Sequence, residues 1–144
     1  MFLITSILSI CPNEGTYTVP YNDNVFPSFY VCKNIETVII SNGFKSIPIE
    51  AFYDCTSLTD VTIPDSVKEI CAKAFKGCKR LISIKFSQNL EIISSEAFRN
   101  CFSLFNVPLP NSLKSIGDNA FAFCENLTCL DFGNNIISIG SYGF

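Results

Sequence analysis

Eight cysteines and thirteen carboxylates are the side chains best suited to chemistry in this 144-residue chain, and there is no histidine to assist them. A serine or cysteine nucleophile would therefore lack its usual base, and neither a Ser-x-x-Lys pair nor a nucleophile-elbow motif replaces it. Zinc needs ligands that converge on a point, and no Cys-x-x-Cys pair supplies them. The carboxylates stand singly along the chain. Glu96 and Asp118 each shortly precede an Ala-Phe pair, where they read as favourable charges in the first turn of short helices rather than as a general acid and base. The seven glycines are also isolated, so no phosphate-cradling loop is present. These residues predict no enzyme, no cofactor and no metal.

The cysteines instead reveal a period. Cys32, Cys55, Cys78, Cys101 and Cys124 recur every 23 residues, each three residues after Phe29, Phe52, Phe75, Phe98 and Phe121. Four of those phenylalanines follow Ala51, Ala74, Ala97 and Ala120; Ser28 takes the alanine slot in the first unit, and Gly143-Phe144 opens a further one. Other columns keep their type: Ile35, Leu58, Leu81, Leu104 and Leu127; Val38, Val61, Ile84, Val107 and Leu130; Ile47, Ile70, Ile93, Ile116 and Ile139. Leu58-x-x-Val61-x-Ile63 has the spacing of a leucine-rich repeat, whose units run 20 to 29 residues.

Two periodicities alternate inside a unit. Ala51, Phe52, Cys55 and Leu58 stand at i, i+1, i+4 and i+7, the spacing of one helix face. Val61 and Ile63 alternate with Asp60 and Thr62, the spacing of a strand. The fold predicted is an α/β leucine-rich-repeat right-handed solenoid, with a parallel strand ladder and short helices or 3₁₀ turns. Pro64 and Pro110 end strands where a missing N–H is tolerated, and Val67 and Ile70 anchor the return segment over the core. Residues 28–144 form about five 23-residue units, and residues 1–27 a leader or degenerate cap in which Tyr17-Thr18-Val19-Pro20 echoes Val61-Thr62-Ile63-Pro64. An apolar end left open after Phe144 is expected to be covered by more chain or by a partner, self-association included.

If helices line the outer side, coils lie roughly 10 Å apart there, too far for disulfides within the cysteine column. The column then reads as small buried apolar residues. Cys11, Cys71 and Cys129 lie outside it; Cys71 and Cys129 are candidate free thiols, and Cys11 can pair with Cys32 in a secreted cap.

A composition of 48% hydrophobic and 16% charged residues describes a folded domain, and a net charge of −3 with dispersed Lys and Arg does not predict nucleic-acid binding. No apolar run reaches the roughly 20 residues of a membrane-spanning helix. Residues 1–10 have the length of a signal-peptide core but no basic leading region and no clear cleavage site. The single sequon, Asn126-Leu127-Thr128, is no more than chance provides among thirteen asparagines.

The pattern Ala-Phe-x-x-Cys-x-x-Leu-x-x-Val-x-Ile-Pro-x-Ser-Val-x-x-Ile, read along residues 51–70, resembles the BspA-like class of leucine-rich repeats found in surface antigens of bacteria and some protist parasites. The resemblance spans about residues 28–144. It implies a protein-binding or adhesion module at a cell surface or secreted, with a host or matrix protein as ligand. The alternative is a scaffold or docking domain, in the cytoplasm or elsewhere, that associates through its ends. Strand register assigns the binding face. The residues flanking each central apolar position point outward on the concave sheet: Thr37 and Ile39, Asp60 and Thr62, Ser83 and Lys85, Asn106 and Pro108, Cys129 and Asp131.

Overall fold

A computed structural model describes residues 11–144 apart from residues 13, 14, 23, 24 and 129. The possible leader at residues 1–10 and the strand thiol of Cys129 therefore lie outside the described residues. The chain winds as a parallel β-solenoid whose coils build two ladders. The first ladder stacks β1 (Gly15–Val19), β2 (Ile35–Ile40), β4 (Asp60–Thr62) and β6 (Ser83–Lys85) in that order. Its register follows the repeat, with Val38 opposite Val61 and Val61 opposite Ile84. The second ladder consists of two-residue strands: β3 (Ser46–Ile47), β5 (Glu69–Ile70), β7 (Ile92–Ile93), β8 (Ser115–Ile116) and β9 (Ser138–Ile139). These occupy the return segment, where the sequence predicts anchoring without a strand.

The chain upstream of the first full unit joins the same ladder. Tyr17 pairs with Val38 and Val19 with Ile40, after a register irregularity between Gly15 and Thr16. The 21-residue spacing between Val19 and Ile40 thus still delivers an in-register strand.

The expected helices do not form: the described residues contain strands, turns and bends only. Two causes are visible at Glu50 to Leu58. The amides needed for a helix donate sideways instead: Glu50 N–H to the Ala72 carbonyl (3.2 Å), Phe52 N–H to Ala74 (2.7 Å) and Asp54 N–H to Lys76 (2.8 Å). In addition, Glu50 (φ 56°) and Asp54 (φ 52°) are left-handed, which interrupts any right-handed helix. Both features repeat along the solenoid: Lys73, Glu96, Asn119 and Tyr142 share the first slot, and Val31, Gly77, Asn100 and Phe123 the second. Tight turns therefore produce the helix-like apolar spacing, and this third side is held to its neighbours by backbone hydrogen bonds as the ladders are.

Coil separation is consequently that of strands, not helices. The rings of Phe29, Phe52, Phe75 and Phe98 stack on one another with centroids 4.9, 5.1 and 5.2 Å apart; Phe121 and Phe144 extend the row at 5.2 and 5.7 Å. Ring planes deviate by no more than 9°, an offset parallel stack. The alanine, leucine and isoleucine columns line the same interior, with Ala74, Leu81 and Ile93 fully buried.

Candidate functional site

The outward positions of the first ladder form two rows. Pairing places Thr16 beside Thr37, Thr37 beside Asp60 and Asp60 beside Ser83, and a single bridge adds Asn106 to Ser83. The second row runs through Thr18, Ile39, Thr62 and Lys85. Seven of these residues are exposed, whereas Thr37 and Thr62 are half-buried. The Ser83 hydroxyl donates to the Asp60 carboxylate (2.5 Å), tying the first row together across coils. Thr16 and Thr18 were not among the expected face residues, although their strand's likeness to Val61–Ile63 carried the signal; the 21-residue offset obscured it.

Among the described residues, no pairing carries the ladder beyond Asn106. Pro108 has no N–H to contribute and lies exposed outside any strand, as does Asp131. These two do not extend the paired rows. The face assembled by pairing is thus hydroxyl-rich, with one carboxylate, one ammonium and one exposed isoleucine.

The cysteine column follows a different logic from the one its spacing suggested. Coils 5 Å apart remove the distance argument against disulfides, and Cys32 is in fact bonded to Cys11 rather than serving as a free buried residue. The remaining column members are free. Each thiol donates to the phenylalanine carbonyl of the preceding coil: Cys55 to Phe29 (3.1 Å), Cys78 to Phe52 (3.1 Å), Cys101 to Phe75 (3.2 Å) and Cys124 to Phe98 (3.2 Å). A small apolar side chain with one weak donor meets that need. Burial pushes the Cys55 and Cys124 thiols up to about 12, and Cys78 and Cys101 well above the usual range. Cys71, half-buried just after β5, is also raised by burial, with the Glu69 charge adding to the shift. Such thiols are poor nucleophiles and poor ligands, and no group of potential metal ligands occurs among the described residues.

Applying the same period to charged residues would have located a feature the sequence reading missed. Lys68, Glu91 and Lys114 share a column, and Glu91 accepts from both lysines at 3.1 and 2.5 Å. On the turn side, Lys76 reaches Glu96 at 2.6 Å and Arg99 reaches it at 3.7 Å. The hydrogen bond from Lys76 is the main cause that holds the Glu96 carboxyl below its ordinary value. Glu96 thus clamps neighbouring side chains, and Asp118 accepts from the Ser141 amide (2.7 Å). Neither is the helix-end charge the sequence suggested.

A stacked, two-ladder coil with a buried phenylalanine row defines a leucine-rich-repeat solenoid of β type. The BspA type leucine rich repeat region matches in six copies across residues 26–144, and the chain belongs to that family. Among solved structures, the chain is similar to the leucine rich repeat protein of T. pallidum, at 34% identity and a TM-score of 0.71 over 74% of this chain and 52% of that one. A leucine rich cell surface protein from Faecalibacterium prausnitzii matches 92% of this chain, with 29% identity and a TM-score of 0.74. A leucine-rich repeat protein from Bacteroides ovatus matches 61% of it at 32% identity and a TM-score of 0.59. The chain spans 39% of the Faecalibacterium protein and 25% of the Bacteroides one. No curated protein matches the chain by sequence. No helix among the described residues is long and apolar enough to cross a membrane.

Proposed function

We propose that this solenoid is a non-catalytic recognition module of a cell surface, which binds a host or matrix protein through the outer face of its first ladder. The carrying observation is the two in-register rows, Thr37-Asp60-Ser83-Asn106 and Ile39-Thr62-Lys85. Interior columns stay apolar, while these rows change residue from Thr37 to Asn106 and from Ile39 to Lys85 and are mostly exposed. A rigid sheet presenting varied groups at fixed intervals suits protein recognition, because little side-chain and loop ordering remains to oppose binding. Family membership and the cell-surface description of the Faecalibacterium relative support the setting. The Cys11–Cys32 bond suits an oxidising compartment.

The test is a solid-phase screen of host and matrix proteins followed by Asp60→Ala and Lys85→Ala in combination. The combined variant keeps the parent's circular dichroism and loses affinity for the ligand found. Unchanged affinity assigns recognition to another surface.

A scaffold reading draws on a separate observation. Leu127, Leu130 and Phe132 in the last coil are only half-buried and, with Phe121 and Phe144, line an open hollow of ≈ 290 Å³. Under that reading, light scattering shows oligomers that grow with concentration in the absence of any ligand.

A further inference from the structure

Where the turn side leads into the first ladder, two adjacent coils set cationic and apolar side chains together. Lys79, Arg80 and Ile82 of one coil stand beside Phe102, Ser103 and Phe105, their counterparts 23 residues on. Backbone hydrogen bonds fix that register: the Ser103 amide donates to the Lys79 carbonyl (3.2 Å), and the Phe105 amide to Ile82 (3.4 Å). The Lys79 ammonium lies 6.0 Å from the Phe102 ring centroid. Ile82 is 53% exposed and Phe105 58% exposed.

The local composition differs from the rest of its own columns. The slot of Ile82 and Phe105 holds Thr59 and Thr128 in the flanking coils, and the slot of Lys79 and Phe102 holds Thr56 and Glu125. In these two columns, apolar surface is therefore confined to a step two coils wide with polar residues on either side. Charge is uneven as well. Lys73, Lys76 and Arg99 are taken up by Glu50 and Glu96, while Lys79 and Arg80 are exposed and enter no ion pair among the described residues. An aromatic and aliphatic centre with a cationic edge on a rigid backbone has the anatomy of a protein-binding hot spot.

We propose that this corner docks an acidic protein segment, which packs a large apolar side chain against Ile82 and Phe105 and sets carboxylates on Lys79 and Arg80. The choice of partner follows from charge complementarity: the two cations outside any ion pair call for carboxylates, and the exposed step beside them calls for an apolar anchor. A purely anionic glycan would use the cations and leave the step in water. The inference rests on the reading of the solenoid as a protein-binding module but places a contact outside the ladder rows.

The probe is a fluorescein-labelled peptide built from Glu, Phe and Leu, compared with the same peptide carrying Lys for each Glu, with anisotropy measured against the full chain. The acidic peptide binds, binds less tightly as salt rises, and outcompetes the basic one. Lys79→Glu with Arg80→Glu weakens it about tenfold or more, and Ile82→Ser with Phe105→Ser does so to a similar extent. Both pairs keep the parent's melting profile because the sites are exposed. The Asp60 and Lys85 alanine variant leaves peptide binding unchanged, so failure of the ladder reading and failure of this one are told apart. No binding up to millimolar peptide, or equal binding of the basic peptide, overturns the proposal. So does a loss confined to the charge variant with heparin oligosaccharide binding just as well, which would mark a polyanion surface.

Discussion

Single residues carry two kinds of cost in this fold. Val31 adopts a left-handed backbone (φ 58°), unfavourable for a β-branched side chain, while Gly77 meets the same demand in the same slot two coils on, at φ 78°. Val31 is exposed, and its amide still donates to the Tyr53 carbonyl (2.7 Å), so a side-chain change there removes little packing. Val31→Gly should raise stability by about 1 kcal/mol, the left-handed strain relieved less the extra entropy of glycine. Urea denaturation decides the matter, and a lower midpoint would mean that the valine side chain packs more than its exposure indicates. The buried thiols carry the second cost, through pH. Their folded values lie above the ordinary 9.0, reaching about 12 at Cys55 and Cys124. In the unfolded chain they ionise first, so their contribution is complete below about pH 9 and is lost as pH rises toward 12. Relative to the parent, Cys78→Ala should flatten the fall in melting temperature across that window. Parallel curves would show that alkaline unfolding has another origin.

At the scale of the element, the interior rows were legible from the sequence and the nature of the third side was not. Columns such as Phe52-Phe75-Phe98 announce themselves because core packing tolerates few residue types, and the structure stacks those rings about 5 Å apart. The spacing of Ala51, Phe52, Cys55 and Leu58 fits a helix and a pair of tight turns equally well, since both return side chains to one face every three or four residues. What distinguishes them is the pair of left-handed slots, which Val31, Glu50, Lys73, Glu96, Phe123 and Tyr142 fill without any sign, leaving Gly77, with Asp54, Asn100 and Asn119, to hint at them. Two-residue strands such as β7 are too short to show any alternation of their own. The candidate face was half legible: alternation found Asp60 and Lys85, but the break at Pro108 depends on backbone pairing that side-chain patterns do not report. The phenylalanine row permits a direct check. Phe75→Ala should cost about 3–5 kcal/mol, because it empties a fully buried site between two stacked rings. A variant that melts with the parent would mean the row adds nothing to cohesion.

For the molecule as a whole, cohesion is the sum of neighbour-to-neighbour contacts, and among the described residues β1 pairs with β2 alone at one end of the first ladder. The Cys11–Cys32 bond closes a 21-residue separation across that end. Cys11→Ser with Cys32→Ser, or reductant added to the parent, should lower stability by about 2–4 kcal/mol. Hydrogen exchange should show the loss first in β1 and β2. Uniform loss along the chain would indicate that the array unfolds as one unit, with no weak end for the bond to protect.

Strand-like stacking also fixes how far such a protein can extend. Each coil uses 23 residues to advance about 5 Å, whereas a coil whose outer side was helical would advance further there for a similar length of chain. Standing about 100 Å away from a membrane would take roughly 20 coils at the spacing of paired strands. A chain wound this way trades height for density: it is a short, finely graduated ruler, whose outward side chains repeat at the roughly 4.8 Å interval of paired strands.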